Sequence, residues 1–298
     1  MRRRKTRMIL FLGRMLSRLP ASLALAAGRF LGRGAHVLMK QRRLITRINL
    51  AACFPELTPQ QRRELERNTF EAVGMGLVET ALALWAPKGR LGAQAEIQGL
   101  EHLDPDRGSL LLMAHFTPVE LIARLLNEAL DPPAAMLVRR NADAGLEAAL
   151  DQGRCSHAAA TIEKKDMRSV MRRLKAGGRV MYGPDLNFTY GTVYAPFFGI
   201  QTATLTATAD LVGRTGAALV PVWGWRVGPG RYRIVVEEPW SDFPSGDAVA
   251  DATRVNAWME SRIREHPEQY LWLHRRFRNR PEGEPPFYPE RARRAKHR

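Results

Sequence analysis

Cysteine is nearly absent from this 298-residue chain: Cys53 and Cys155 are the only two, they lie far apart, and their spacing matches no metal-ligand pattern. That excludes a disulfide framework and suits a reducing compartment. The N-terminal region lacks a long apolar run. Its longest uncharged stretch, Leu19 to Gly28, has ten residues, whereas a spanning helix needs roughly 18. There is no internal repeat and no low-complexity linker. No helix-turn-helix, zinc-finger or RNP-like pattern occurs, so a nucleic-acid-binding role has no support beyond charge. Neither a cofactor nor a metal is expected. Acidic residues are comparatively few, 30 against 46 Lys and Arg.

What is present is a strong positive charge. The formal net charge is +16 and the pI near 10.7, a field that favours an anionic partner: nucleic acid, an anionic membrane, or an acidic protein or substrate. Much of it sits at the ends. At about 100° per residue, Arg3, Arg7, Arg14 and Arg18 fall within an arc of about 60°, opposite Ile9, Leu12, Leu16 and Leu19, with Leu10 at the edge of the arginine arc. This predicts an amphipathic helix lying in the membrane interface, since spanning would bury arginine at about 2.5–3.5 kcal/mol each. A basic start, an apolar region and Ala24-Leu25-Ala26 also outline a signal peptide, but Arg14 and Arg18 interrupt it. A helix packed on the protein's own core is the third reading. With 45% hydrophobic residues, the chain can bury a large core.

One stretch organises the rest. It runs from Ser109 to Leu126, and its first half is a short apolar run after the turn-like Asp104 to Gly108, which suits a buried strand. From Pro118 the period changes: Leu121, Ile122, Leu125 and Leu126 fall at helical spacing. His115 is left in the loop at the strand's carboxyl end, where open α/β sheets place reactive groups. Thr117 is read as N-cap with Pro118 at the first helical position, which brings Glu120 into the first turn. From there its carboxylate can hold one imidazole nitrogen while the other takes a proton from a hydroxyl. Thr117 to Glu120 is equally a capping box, with Glu120 satisfying the Thr117 amide.

Elsewhere, Ala35 to Ala51 is expected to be helical, and Thr58-Pro59 starts another helix. Ala134 to Val138 reads as a strand followed by Arg139 and Arg140. Met167 to Ala176 reads as a helix, Arg179 to Tyr182 as a strand before Gly183-Pro184-Asp185, and Thr206 to Arg214 as a helix. Ala217 to Val227 and Arg231 to Val236 flank Gly228-Pro229-Gly230 as a hairpin. The fold class is therefore α/β, a mixed, partly parallel sheet covered by helices. The expected organisation is an anchor at 1–33, a helical region at 34–90, an α/β core at 91–290 and a solvated basic tail at 291–298. His115, Arg139 and Asp185 all follow strands and are expected on one rim, where arginine can hold a phosphate or a developing oxyanion.

Over most of its length the chain resembles the late acyltransferases of lipid A biosynthesis, particularly the lauroyl-transferring members. The resemblance rests on Asn49-Leu50, Phe54-Pro55-Glu56, His115-x4-Glu120, Tyr182-Gly183-Pro184-Asp185 and Ala195-Pro196-Phe197-Phe198-Gly199. It continues in Pro267 to Phe277 and Arg280-Pro281-Glu282-Gly283. It implies a glycerolipid-acyltransferase-like fold at the cytoplasmic face of the inner membrane. The activity it implies is transfer of a fatty acyl chain from acyl carrier protein to a 3-hydroxyacyl hydroxyl of the Kdo-bearing lipid A precursor. It also implies His115 as base and Glu120 as orienting carboxylate, with Arg139 and Asp185 at substrate or oxyanion. An acyl-CoA-dependent lysophospholipid or glycolipid acyltransferase is the alternative. Two departures stand out. Leu186-Asn187-Phe188-Thr189 replaces the family's second acidic residue and glycine, and the N-terminal arginines suit a surface anchor rather than the spanning helix often ascribed to the family.

Overall fold

The computed structural model describes residues 2–91 and 95–293, with side chains from residue 6 onward. The side chain of Arg3 and the tail residues Arg294, Lys296 and Arg298 therefore lie outside the described part. Four helices open the chain: α1 (Arg2–Leu16), α2 (Ala21–Leu38), α3 (Lys40–Cys53) and α4 (Pro59–Trp85). The single helix expected over Ala35 to Ala51 is two, because Met39 leaves the helical region with φ −90° and ψ 59°. Thr58 caps α4 as expected, in a capping box with Gln61.

Among the described residues nine strands follow: β1 (Ala95–Gln98), β2 (Ser109–Leu112), β3 (Ala135–Val138), β4 (Thr161–Glu163), β5 (Arg179–Tyr182), β6 (Thr192–Phe197), β7 (Ile200–Leu205), β8 (Ala218–Gly228) and β9 (Arg231–Val236). Interleaved with them are α5 (Val119–Ala129), α6 (Ala144–Cys155), α7 (Met167–Lys175) and α8 (Ala207–Thr215), and α9 (Ala248–Glu265) and α10 (Glu290–Arg293) close the chain. Seven strands form one sheet in the order β1-β9-β8-β2-β5-β3-β4, and β6 and β7 form a separate hairpin. Every pairing in the large sheet is parallel except β8 with β9. The strands from β8 to β4 thus point one way, and the carboxyl ends of β2, β3 and β5 share a rim.

Alternation along these strands divides the core. Leu110, Leu112, Val180, Tyr182 and Leu219 face one side, with α3, α7 and α9. Leu111, Met113, Met181, Val220 and Val222 face the other, covered by α5 and α4. On that second side α2 crosses α4 on glycine. A methyl group at Gly74 would collide with the backbones of Gly28 and Gly32, so the helices approach closely only because none of the three has a side chain.

Of the apolar side chains of α1, Leu16 packs against the core, but most do not. The helix meets the protein at Gly13, against Trp85; Ser17, just after it, is buried, and Thr6 hydrogen-bonds Asp143 at the start of α6. Arg7, Arg14 and Arg18 are exposed, and so are Met8, Ile9, Phe11, Leu12 and Met15. The apolar exposure continues on α2 with Leu23, Phe30, Leu31 and Leu38, the last 80% exposed. Among the described residues, no helix is long and apolar enough to cross a membrane.

Candidate active site

The loop after β2 is held from two directions. Asp185, in the loop after β5, accepts from the backbone N–H of His115 through Oδ2 at 2.9 Å. Its Oδ1 accepts from His115 Nδ1 at 2.5 Å. On the other side the Pro267 to Phe277 segment pairs with the loop. The Thr117 N–H donates to the Gln269 carbonyl at 2.7 Å, the Leu271 N–H to the His115 carbonyl at 3.2 Å, and Phe116 bridges Tyr270. That segment is itself fixed by Asn49 of α3, whose amide donates to the carbonyls of Trp272 and His274 at 2.8 and 2.9 Å.

These contacts correct two sequence expectations. Thr117 is not the helix cap: its backbone is committed to Gln269, the N-cap falls on Pro118, and its hydroxyl is buried without a hydrogen bond. The carboxylate on the imidazole is Asp185, not Glu120. Glu120 accepts from Arg154 of α6 through both oxygens, at 3.2 Å from Nε and closer still from Nη2. It therefore forms neither the expected dyad nor the expected capping box, although its charge adds a weaker upward push to the His115 pKa. Arg154 went unnoticed in the sequence because nothing in the spacing links residues 34 apart.

The electrostatics follow from burial and pairing. Burial alone would lower the His115 pKa, but the Asp185 carboxylate outweighs it and the net shift is upward. Burial would raise Asp185, yet the charge and hydrogen bonds of His115, with a smaller effect from Arg276, hold it well below the usual carboxylate range. A carboxylate only accepts, so Nδ1 carries the proton and Nε2 keeps its lone pair. Asp185 is 1% exposed, so it reaches a substrate only through His115.

The imidazole lies in the wall of a cavity of about 630 Å³, within the usual size for a small-molecule site. Its lining combines the charged Glu120, Arg139, Arg154, Lys164 and Lys165 with the apolar Met113, Ala123, Met136, Met181, Leu186 and Phe188. Arg139 is exposed, while Arg140 turns away to Glu147 and Asp151 of α6. His274 also lines the cavity. Its Nε2 accepts the Asn187 N–H at 3.0 Å, and burial lowers its pKa to about 4, so it stays neutral. Asn187 in turn accepts from the Asn279 N–H at 3.1 Å, which gives the sequence departure at that position a structural role. Among the described residues, no cluster of His, Cys, Asp and Glu could hold a metal ion.

An oriented imidazole in the wall of a cavity, with cations around it, can act chemically as a general base. The family model of bacterial lipid A biosynthesis acyltransferases matches residues 2–279. The chain is 36% identical over 281 residues to the lipid A biosynthesis lauroyltransferase of Escherichia coli K12, covering 92% of this chain and 91% of that one. It is 31% identical over 277 residues to the palmitoleoyltransferase of the same organism, covering 91% and 90%. With its myristoyltransferase it shares 26% over 278 residues, covering 86% and 80%.

Proposed function

Because the chain belongs to the bacterial lipid A biosynthesis acyltransferases, we propose that it transfers a lauroyl chain from acyl carrier protein to a 3-hydroxyacyl hydroxyl of the Kdo-bearing lipid A precursor. His115 Nε2 removes the proton of the acceptor hydroxyl as the oxygen attacks the thioester carbonyl. The tetrahedral intermediate then collapses, the carbon–sulfur bond breaks, and the imidazolium returns its proton to the departing thiolate. Asp185 stabilises the imidazolium and fixes its tautomer. Arg139, free to point across the rim, holds a phosphate of the acceptor or the developing oxyanion. Glu120 holds Arg154 in place at the same rim.

Residues 1–33 serve as an interfacial anchor in this reading. The exposed apolar side chains of α1 and α2 enter the headgroup region, and Arg7, Arg14 and Arg18 pair with anionic lipids at the cytoplasmic face of the inner membrane. The net charge of +16 draws an acidic carrier protein and a phosphorylated lipid alike.

The observation that carries the proposal is the Asp185–His115 pair, whose imidazole lines the cavity. The test offers the purified enzyme lauroyl carrier protein or lauroyl-CoA as donor, and lipid A precursor or lysophospholipid as acceptor, with products read by mass spectrometry. Transfer from the carrier to the precursor is expected, with His115→Ala slower by about 10²–10⁴-fold. Near-normal turnover by that variant would refute the base assignment, and preference for the other donor or acceptor would refute the substrates.

A further inference from the structure

A buried ion pair outside the cavity leads back to the histidine loop. Glu79 of α4 is fully buried and takes the guanidinium of Arg226 with both oxygens, at 2.7 Å from Nε and 2.7 Å from Nη2. The Tyr232 hydroxyl of β9 donates to the same carboxylate at 2.8 Å. Withdrawing two charges from water costs about as much as their attraction returns, so such a pair adds little stability of its own. What it does is fix β8 at Arg226.

The backbone of β8 is open there. β2 pairs with β8 as far as Pro221, opposite Leu112, and beyond that point, among the described residues, no strand borders β8 on that side. The side chain of Gln269 takes the vacant position. Its Oε1 accepts the Arg226 N–H at 2.9 Å and its Nε2 donates to the Arg226 carbonyl at 3.0 Å, the two bonds that a residue of a neighbouring antiparallel strand would exchange. The backbone carbonyl of Gln269 in turn accepts the Thr117 N–H at 2.7 Å. Behind Thr117 lies α4 again: a methyl group at Gly76 would come within 2.6 Å of the Thr117 carbonyl oxygen. Gly76 and Glu79 are about one turn apart on the same helix. The contacts therefore close a circuit, Glu79 to Arg226 to Gln269 to Thr117 to Gly76, around the loop just past His115.

We infer that Gln269 is a positioning residue for the transfer reaction: its amide, anchored by the Glu79–Arg226 pair, sets where the His115 loop stands against the cavity. The inference rests on the acyltransfer reading above. The task differs from that of Asp185, which selects the tautomer and carries the charge. Gln269 is uncharged and holds the loop by its backbone, so its loss displaces the base without changing its ionisation. A reacting group about 1 Å out of place costs about 10²-fold.

The experiment measures kcat, KM and the pH profile of acyl transfer for wild type, Gln269→Ala, Gln269→Glu and Gly76→Ala, with melting curves and circular dichroism on each. Gln269→Ala is expected to lower kcat by about 10–10²-fold, while KM and the acid limb set by His115 stay in place. Gly76→Ala pushes on Thr117 from the opposite side and is expected to do the same, although alanine is the better helix former. Gln269→Glu separates positioning from support of the fold. It keeps the acceptor for the Arg226 N–H, but only its protonated form can donate to the Arg226 carbonyl. Once ionised, it faces that carbonyl and the Glu268 carboxylate, to which Gln269 Nε2 donates at 3.1 Å. The other charges of the circuit, Arg226 and Glu79, neutralise each other. The rate of Gln269→Glu relative to wild type should therefore exceed that of Gln269→Ala at acid pH and fall toward it as pH rises. If Gln269→Ala does not fold, Gly76→Ala and Gln269→Glu decide. Wild-type kcat in the folded variants overturns the inference, as does a Gln269→Glu ratio flat with pH or an acid limb that moves with Gln269→Ala. Absence of transfer by wild type instead overturns the acyltransfer reading itself, so the two failures are distinct.

Discussion

Replacing Asp185 with asparagine isolates one property of the site, because the new side chain has the same shape and can keep half of the contact. Its carbonyl oxygen can still accept the His115 backbone N–H, now held at 2.9 Å by Oδ2. The amide nitrogen then faces Nδ1, where a carboxylate oxygen now sits at 2.5 Å. An amide N–H donates, so Nδ1 must accept, and the proton moves to Nε2. The imidazole then presents a proton to the substrate where a lone pair is needed, and it loses the charge that stabilises its protonated form. In a serine protease triad the same change costs about 10⁴-fold in kcat, or about 5.4 kcal/mol of barrier. We expect a loss of about 10³–10⁴-fold here, close to that of His115→Ala. The pH profile is the sharper assay. The base works only when neutral, and its pKa is raised, so wild-type kcat/KM should climb through an acid limb above the ordinary imidazole value of about 6.5. Without the carboxylate, burial dominates and the limb moves down. The linked stability follows the same signs. The raised histidine contributes below its unfolded pKa and loses that contribution as pH rises through its folded one; the depressed aspartate contributes above its unfolded pKa and loses it as pH falls through its folded one. A variant with near-normal rate, or with an unmoved acid limb, would refute the dyad.

Three smaller perturbations probe the surroundings. Glu120→Gln keeps one hydrogen bond to Arg154 but removes a charge that raises the His115 pKa; it should cost about tenfold at most and shift the acid limb slightly down, whereas a loss matching Asp185→Asn would restore Glu120 as the principal partner. Gly183→Ala places a methyl 3.0 Å from His115 Cε1 and should slow transfer by about 10²-fold through misplacement of the ring, with circular dichroism unchanged; wild-type kinetics would show the ring free to move aside. Changing Phe11, Leu12 and Phe30 together to serine should weaken sedimentation with anionic vesicles by at least tenfold, and undiminished binding would remove α1 and α2 from the membrane contact.

The rim was legible in the sequence because it is local: an apolar run that changes period puts His115 in a loop, and the same logic found Arg139 and Asp185 at strand ends. The partnerships were not. Asp185 and His115 are 70 residues apart and Arg154 lies 34 from Glu120, so no spacing records either pair. The nearby carboxylate was the natural guess, and it was drawn away by a cation on α6, a helix with too weak an apolar pattern to be noticed. β1 and β4 were missed because three or four residues on a sheet edge carry little periodicity. The β6–β7 hairpin was seen only as a family segment, since its turn is Phe198-Gly199, with φ of 51° and 71°, rather than one of the usual turn pairs.

The hold of Gln269 and Leu271 on the histidine loop has a consequence for the order of synthesis. A nascent chain that has emerged only as far as α9 already has the imidazole, its aspartate and most of the sheet, but not the peptide that closes over Phe116 and Thr117. The loop is therefore completed late, after α9, when Asn49 of an early helix captures the carbonyls of Trp272 and His274. Until then the loop that carries His115 is secured from one side only.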